Sequence, residues 1–161
     1  MLAAYHRLQE SEVFKQWKLN HPAEYLSSCF TVVKKNTIAQ WQFHYYNKQD
    51  DTITTFDVKK TTTQEAASKI FKKPGELVEE LELDKVKISF EDALHKAESL
   101  SHPGEEFTEK IIILQQIQQP LWNISMISST FNLMNIKISA ISGEVLHESF
   151  DSLLSLRTTQ P

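Results

Sequence analysis

Cysteine occurs once in the 161 residues, at Cys29, and glycine only three times, at Gly75, Gly104 and Gly143. A single thiol cannot close an internal disulfide, so nothing points to an oxidising compartment and the cytoplasm is the expected location. A leader trimmed from the start would shift that expectation outward. Three scattered glycines cannot build a phosphate-cradling loop, which needs several close together so that backbone N–H groups reach the anion. No apolar run approaches the ~20 residues of a membrane-spanning helix. The opening "MLAAYHRLQESEVFKQWK" has no basic segment followed by a continuous apolar one, because His6, Arg7 and Gln9 interrupt it, so it is expected to be part of the fold.

Spacings that announce chemistry are also missing. Neither a C-x-x-C pair nor H-E-x-x-H occurs, and His95 and His102 stand seven apart across a helix end without a third ligand nearby in sequence. Cys29 has no adjacent base to activate it and reads as an inert, buried or half-buried thiol. The acidic residues Glu76, Glu79, Glu80, Glu82 and Asp84 have no apolar setting that would raise one carboxyl selectively, so they read as solvated surface. The "NIS" at Asn123 matches a glycosylation sequon inside an expected strand. No catalytic, cofactor-binding or metal-ligating residue is assigned, and the expected chain is not an enzyme.

What is present is ordinary in amount and patterned in order. Hydrophobic residues make up 40% and charged residues 24%, and a chain this long buries about 70% of its unfolded surface without staples. The net charge of −4 divides unevenly: residues 1–75 hold eleven Lys and Arg against seven Asp and Glu, whereas residues 76–161 hold six against fourteen. Halves of +4 and −8 suit either solvated faces or a head-to-tail contact.

The chain repeats itself. "NHPAEYL" at Asn20 has a counterpart in "SHPGEEF" at Ser101, and the two His-Pro pairs, like Trp41 and Trp122, lie 81 positions apart. At that offset "CFTVVKK" falls on "KIIILQQ" and "WQFHYY" on "WNISMI", which keeps large apolar groups at alternate positions. Each copy predicts a helix followed by three strands. The first helix is marked by Val13, Phe14 and Trp17, and the second by Phe90, Ala93, Leu94, Ala97 and Leu100 at three- and four-residue steps. Ser89 and Asp92 form a capping box at the start of the second, and His-Pro closes each, since the residue before proline leaves the α region. The strands are Phe30 to Val33, Trp41 to Tyr46 and Ile53 to Val58, then Ile111 to Leu114, Trp122 to Ile127 and Leu133 to Ser139. Between the copies "TTTQEAASKIFKKPG" predicts a third helix, capped by Thr62 and Glu65 and stopped at Pro74-Gly75. "SFDSLLSL", Ser149 to Leu156, predicts a fourth, and a short strand is expected over Val86 to Ile88. The expected fold is therefore α+β, a tandem of helix plus three-stranded antiparallel sheet units with helices on one sheet face. The units span residues 8–60 and 76–157, joined by a helical connector over 61–75 in one compact two-lobed domain.

"SFEDALHKA", "PLWNISM" and "IKISAISGEVL" together resemble a PepSY domain, a small α/β module named for its occurrence in peptidase propeptides. The likeness is best over residues 89–146, with Gly143 at the family's closing turn. Ser139 stands where the family has Asp and Ser142 where it has Thr, and the first copy lacks the Gly turn. The resemblance implies a non-enzymatic regulatory or binding module, of a kind suggested to inhibit or chaperone peptidases outside the cytoplasm.

Aromatics, at 10%, gather in the first copy. On the Trp41 strand, Trp41, Phe43 and Tyr45 should point into the core while His44 and Tyr46 face out near Lys34, Lys35, Lys59 and Lys60. His44, Tyr46, Lys34 and Lys59 are the expected interaction surface. Another protein, or a second copy of the chain, is the expected partner. Single-stranded nucleic acid is disfavoured by the overall acidity and the absence of an RNP pattern, and no membrane contact is expected. A second class of function would use a cleft between the two copies for a small ligand or a reaction.

Overall fold

A computed structural model describes residues 1–70 and 77–155. Two short helices, α1 (Leu2–Glu10) and α2 (Glu12–Asn20), open the chain. Ser11 separates them and serves both: its hydroxyl donates to Leu8 O at 2.7 Å and accepts from Phe14 N at 3.3 Å as the cap of α2. Then come β1 (Tyr25–Lys34), β2 (Thr37–Ile38), β3 (Trp41–Asn47), β4 (Thr52–Val58), β5 (Thr62–Gln64) and β6 (Ser68–Lys69). A single 3₁₀ turn at Leu83–Lys85 leads to α3 (Phe90–Ser99), followed by β7 (Phe107–Ile117), β8 (Gln119–Ser128), β9 (Asn132–Ser139) and β10 (Val145–Ser152). Among the described residues no helix is long and apolar enough to cross a membrane.

The strands do not form two three-stranded units. They make one ten-stranded antiparallel sheet in the order β10-β9-β8-β7-β1-β3-β4-β5, with β2 paired to β1 and β6 to β4. The expected tandem of separate units is overturned at its centre, where β1 and β7 pair from Ser28↔Gln115 to Lys34↔Glu109. The reason lies in backbone chemistry: each three-stranded unit would present an unsatisfied edge, and joining β1 to β7 removes both edges at once. Thr31 faces Ile112 in this pairing, the residue that the 81-position offset assigns to it. The seam therefore carries a local two-fold relation between the halves.

The same demand corrects the helical connector. Thr62 to Gln64 and Ser68 to Lys69 are strands laid on the outer edge of β4, with Phe56↔Gln64 and Ile53↔Ser68 as partners. A threonine run favours the pleated conformation, and the capping pattern at Thr62 and Glu65 has no apolar stripe strong enough to compete with a free sheet edge. The part of that predicted helix from Phe71 to Gly75 lies outside the described residues. Ser149 to Ser152 likewise belong to β10, pairing with Asn132 to Asn135 of β9 rather than forming a helix. Val86 to Ile88 is not a strand; the N–H groups of Lys87 and Ile88 both donate to Ala140 O, at 2.8 and 2.9 Å. α3 begins as its cap requires, with Ser89 Oγ accepting from Asp92 N at 3.0 Å, but it ends at Ser99, before the second His-Pro.

Side chains alternate across the sheet, and the buried set meets the helices. Phe14 and Trp17 of α2 pack with Tyr45 and Phe56, the Phe14–Phe56 and Trp17–Phe56 rings lying nearly perpendicular at 5.3 and 5.0 Å between centroids. Phe90 of α3 touches both Trp41, at 5.2 Å, and Trp122, at 6.2 Å. Trp122 is fully buried and its indole N–H donates to Ile88 O at 3.1 Å. Thus the two repeated tryptophans are wedged by one phenylalanine, which ties the two halves of the sheet from the helix side.

Neighbouring residues of β7 on opposite faces give a direct check. Ile112 is fully buried and Ile113 is half-buried on the other face. Ile112→Ala is expected to lose about 2–5 kcal/mol in urea unfolding, and Ile113→Ala less than half as much. Equal losses would show that the second face is covered.

Candidate functional site

The face that carries no helix among the described residues is built by the strand residues that alternate with the core set, and Ile70, Leu77 and Val78 flank it at its Ser28–Gln115 end. Along the four central strands it carries Ser28, Phe30 and Val32 of β1, Gln42 and His44 of β3, Ile111, Ile113 and Gln115 of β7, and Asn123, Ser125 and Ile127 of β8, all half-buried. Register sets the pattern. Phe30 lies opposite Ile113 and Val32 opposite Ile111, so four apolar groups form a strip along the seam. Gln42 flanks Phe30 on one side, and Asn123 and Ser125 flank the isoleucines on the other. Beyond them Asn135 Nδ2 donates to Asn123 Oδ1 at 2.8 Å and to Ser125 Oγ at 2.9 Å, a fixed amide and hydroxyl row. At one end Lys34 and Glu109 close the strip with an ion pair at 3.1 Å. Asn123 is thus a structural member of β8.

The four expected surface residues are spread along the sheet rather than gathered. His44 sits mid-strand, with Nδ1 2.8 Å from Ser28 Oγ and its ring beside Phe30 at 6.2 Å. Burial pushes its pKa below the ordinary value of 6.5, partly opposed by Asp57. Tyr46 is buried, its hydroxyl donating to Asp51 Oδ1 at 2.6 Å and its ring edge-on to Tyr25. Lys34 and Lys59 are exposed, near the ends of β1 and β4, which run the same way and finish at the same end of the sheet. Tyr46 lies toward the opposite end, about six residues or ~20 Å along the strand direction. The neighbours that matter to His44, Ser28 and Phe30, come from β1, and the strip's other half from β7, which only the pairing brings together.

On the helix side a cleft of about 650 Å³ opens between α1, α2, the start of β1 and the connector. Tyr5, Phe14, Lys18, Glu24 and Tyr45 line it, with Glu80, Glu82 and Asp84 from the acidic stretch. The acidic stretch is therefore partly a cavity wall, a role its sequence setting did not suggest. Lys18 directs its ammonium to the carbonyls of His21, Pro22 and Glu24 and stands 5.8 Å from the Tyr45 ring centroid. Burial and a hydrogen bond with Tyr5 push the Tyr45 hydroxyl well above its usual range.

The remaining candidates have structural settings. Cys29 is fully buried, and burial raises its thiol pKa far from the nucleophilic range. Its counterpart Lys110 is also buried, paired with Glu98 of α3. His21 ends α2 with Nδ1 2.8 Å from Trp17 O and its ring stacked on the indole, whereas His102 stacks on Phe150 of β10 at 4.2 Å. Among the described residues no three His, Cys, Asp or Glu side chains converge to hold a metal.

No protein-family model matches the chain, and no curated protein matches it. Among solved structures it is similar to a crystal structure of a "putative lipoprotein" from Clostridium difficile 630, at 13% identity and a TM-score of 0.57, covering 87% of this chain and 91% of that one. The likeness is one of fold, and that protein's name states no reaction.

The His44 environment has a pH consequence. Its folded pKa is depressed, so between that value and about 6.5 the unfolded chain takes up a proton that the folded chain does not. Stability is then full at pH 7 and above and falls as the pH drops through about 6.5 toward the folded pKa. Urea midpoints measured from pH 7.5 to 5 should decline in this window and decline less in His44→Gln, and the His44 imidazole should titrate below 6.5 by NMR.

Proposed function

We propose that the chain is a non-catalytic protein-binding module of PepSY-like kind and that the open face of its sheet is the contact surface. One observation carries the reading: in a chain with 24% charged residues, the centre of this face has none between the Lys34–Glu109 pair and Gln115. It offers an apolar strip bordered by amides and hydroxyls. Interfaces are marked by charge depletion at their centre with a polar rim. The seven longer strands, β10-β9-β8-β7-β1-β3-β4, have seven to eleven residues each; at about 4.8 Å apart and roughly 23 to 37 Å long they present on the order of 1,000 Å². That is enough for the ~800 Å² one partner covers in a standard interface. The occupant that fits is another protein presenting an uncharged, apolar-centred surface. The sequence resemblance over residues 89–146 supports a regulatory role.

That neighbour's name favours a place outside the cytoplasm over the cytoplasmic expectation. Cys29 cannot carry a lipid there, because its sulfur is fully enclosed in the core.

A photo-crosslinking residue at position 113 should capture a partner protein, whereas one at exposed Lys15 of α2 should not. Val32→Glu should lower the yield at least tenfold while leaving the fold intact, since a buried unpaired charge at an interface costs several kcal/mol. Crosslinks only between copies of the chain, with a dimer mass by light scattering, would replace the partner by self-association. Equal capture at both positions, or no effect of Val32→Glu, would overturn the face as the contact surface.

A further inference from the structure

Pairing across the seam sets three side chains of complementary chemistry in one row. Ser28 of β1 stands opposite His44 of β3 on one side and Gln115 of β7 on the other. Ser28 Oγ lies 2.8 Å from His44 Nδ1, within reach of proton transfer. Burial lowers the His44 pKa against the opposing field of Asp57, so the imidazole is unprotonated at neutral pH and able to take a proton. Asp57 is itself held in place, its Oδ1 accepting from Gln42 Nε2 at 2.8 Å and from Gln40 Nε2 at 3.2 Å. Its charge favours the imidazolium that forms when the proton moves.

A cross-strand serine–histidine hydrogen bond alone would be structural, but here the serine also borders a space. Ser28 and Gln115 line a cavity of about 270 Å³, whose other walls include Ile53 of β4 and Ile70, Leu77 and Val78 of the connector. Aliphatic walls and a size just below the ~300–1,000 Å³ of drug-sized sites suit a short acyl chain. Glu79, which also lines the cavity, is engaged by Gln118 N–H at 3.2 Å, so an uncharged molecule fits. The Gln115 amide, beside Ser28, supplies an N–H donor for the oxygen of an attacked carbonyl.

We propose that Ser28 is a nucleophile that accepts a short aliphatic acyl group from a carboxylic ester, with His44 as its base and Gln115 as donor to the carbonyl oxygen. The bond from Ser28 Oγ to the carbonyl carbon forms and the ester's carbon–oxygen bond breaks. The Ser28 proton passes to His44 Nδ1 and from there to the departing alkoxide, which leaves as the alcohol. This step requires no turnover, so it goes beyond the binding reading of the open face without replacing it.

The test is p-nitrophenyl butyrate at neutral pH, followed on the full chain by nitrophenolate release and by peptide mapping of the butyryl group. Ser28 is expected to react at least a hundredfold faster than the exposed serines Ser101 and Ser129. Ser28→Ala should abolish the fast release, and His44→Gln should slow it at least tenfold with the circular dichroism unchanged. The wild-type comparison between serines keeps the test decisive where a variant misfolds. Butyryl groups only on lysines, with release unaffected by Ser28→Ala, overturn the proposal. So do a Ser28 that reacts no faster than Ser101 and Ser129, and an unslowed reaction in folded His44→Gln.

Discussion

Every backbone N–H and C=O along the facing edges of β1 and β7 needs a partner, and these two strands supply each other's. The rest of the molecule follows from that seam. It turns two strand meanders into one sheet, fixes which residues of the first half lie beside which residues of the second, and sets a common register for both faces. Thr31 and Ile112, paired at its centre and both fully buried, mark the position about which the two halves mirror one another.

On the covered side the seam is reinforced by packing. Phe90 reaches across to Trp41 in one half and Trp122 in the other, so α3 belongs to neither half alone. The aromatic cluster of Phe14, Trp17, Tyr45 and Phe56 anchors α2 over the first half. The connector then has to pass from the outer edge of β4 to the start of α3, and on the way Leu81 N–H donates to Leu26 O at 2.8 Å. Its passage over the end of β1 walls the helix-side cleft.

The uncovered side is the complement of the same alternation. Because successive side chains on a strand point to opposite faces, the residues that build the core also determine what the other face shows. The pairing sets Phe30 against Ile113 and Val32 against Ile111, and a strip results that neither half possesses by itself.

Sequence alone determined the local features. The alternation around Trp41 and Trp122 located β3 and β8, the Ser89–Asp92 pattern located the start of α3, and His21-Pro22 located the end of α2. These are signals carried by residues a few positions apart, where side-chain period, caps and proline geometry act directly on the chain. Of the expected surface, sequence placed His44 on the outward side of its strand but could not foresee that Tyr46 would be buried or that Lys34 would be held by Glu109. Tertiary structure decided what depends on distant partners: the joining of β1 to β7, the recruitment of Thr62 to Lys69 and Val145 to Ser152 to sheet edges, and the enclosure of Glu24. Strand residues read alike whichever edge they pair with, and a carboxylate reads as solvated until other elements remove its water. Hydrogen-bond satisfaction across long sequence separations, not local pattern, settled those outcomes.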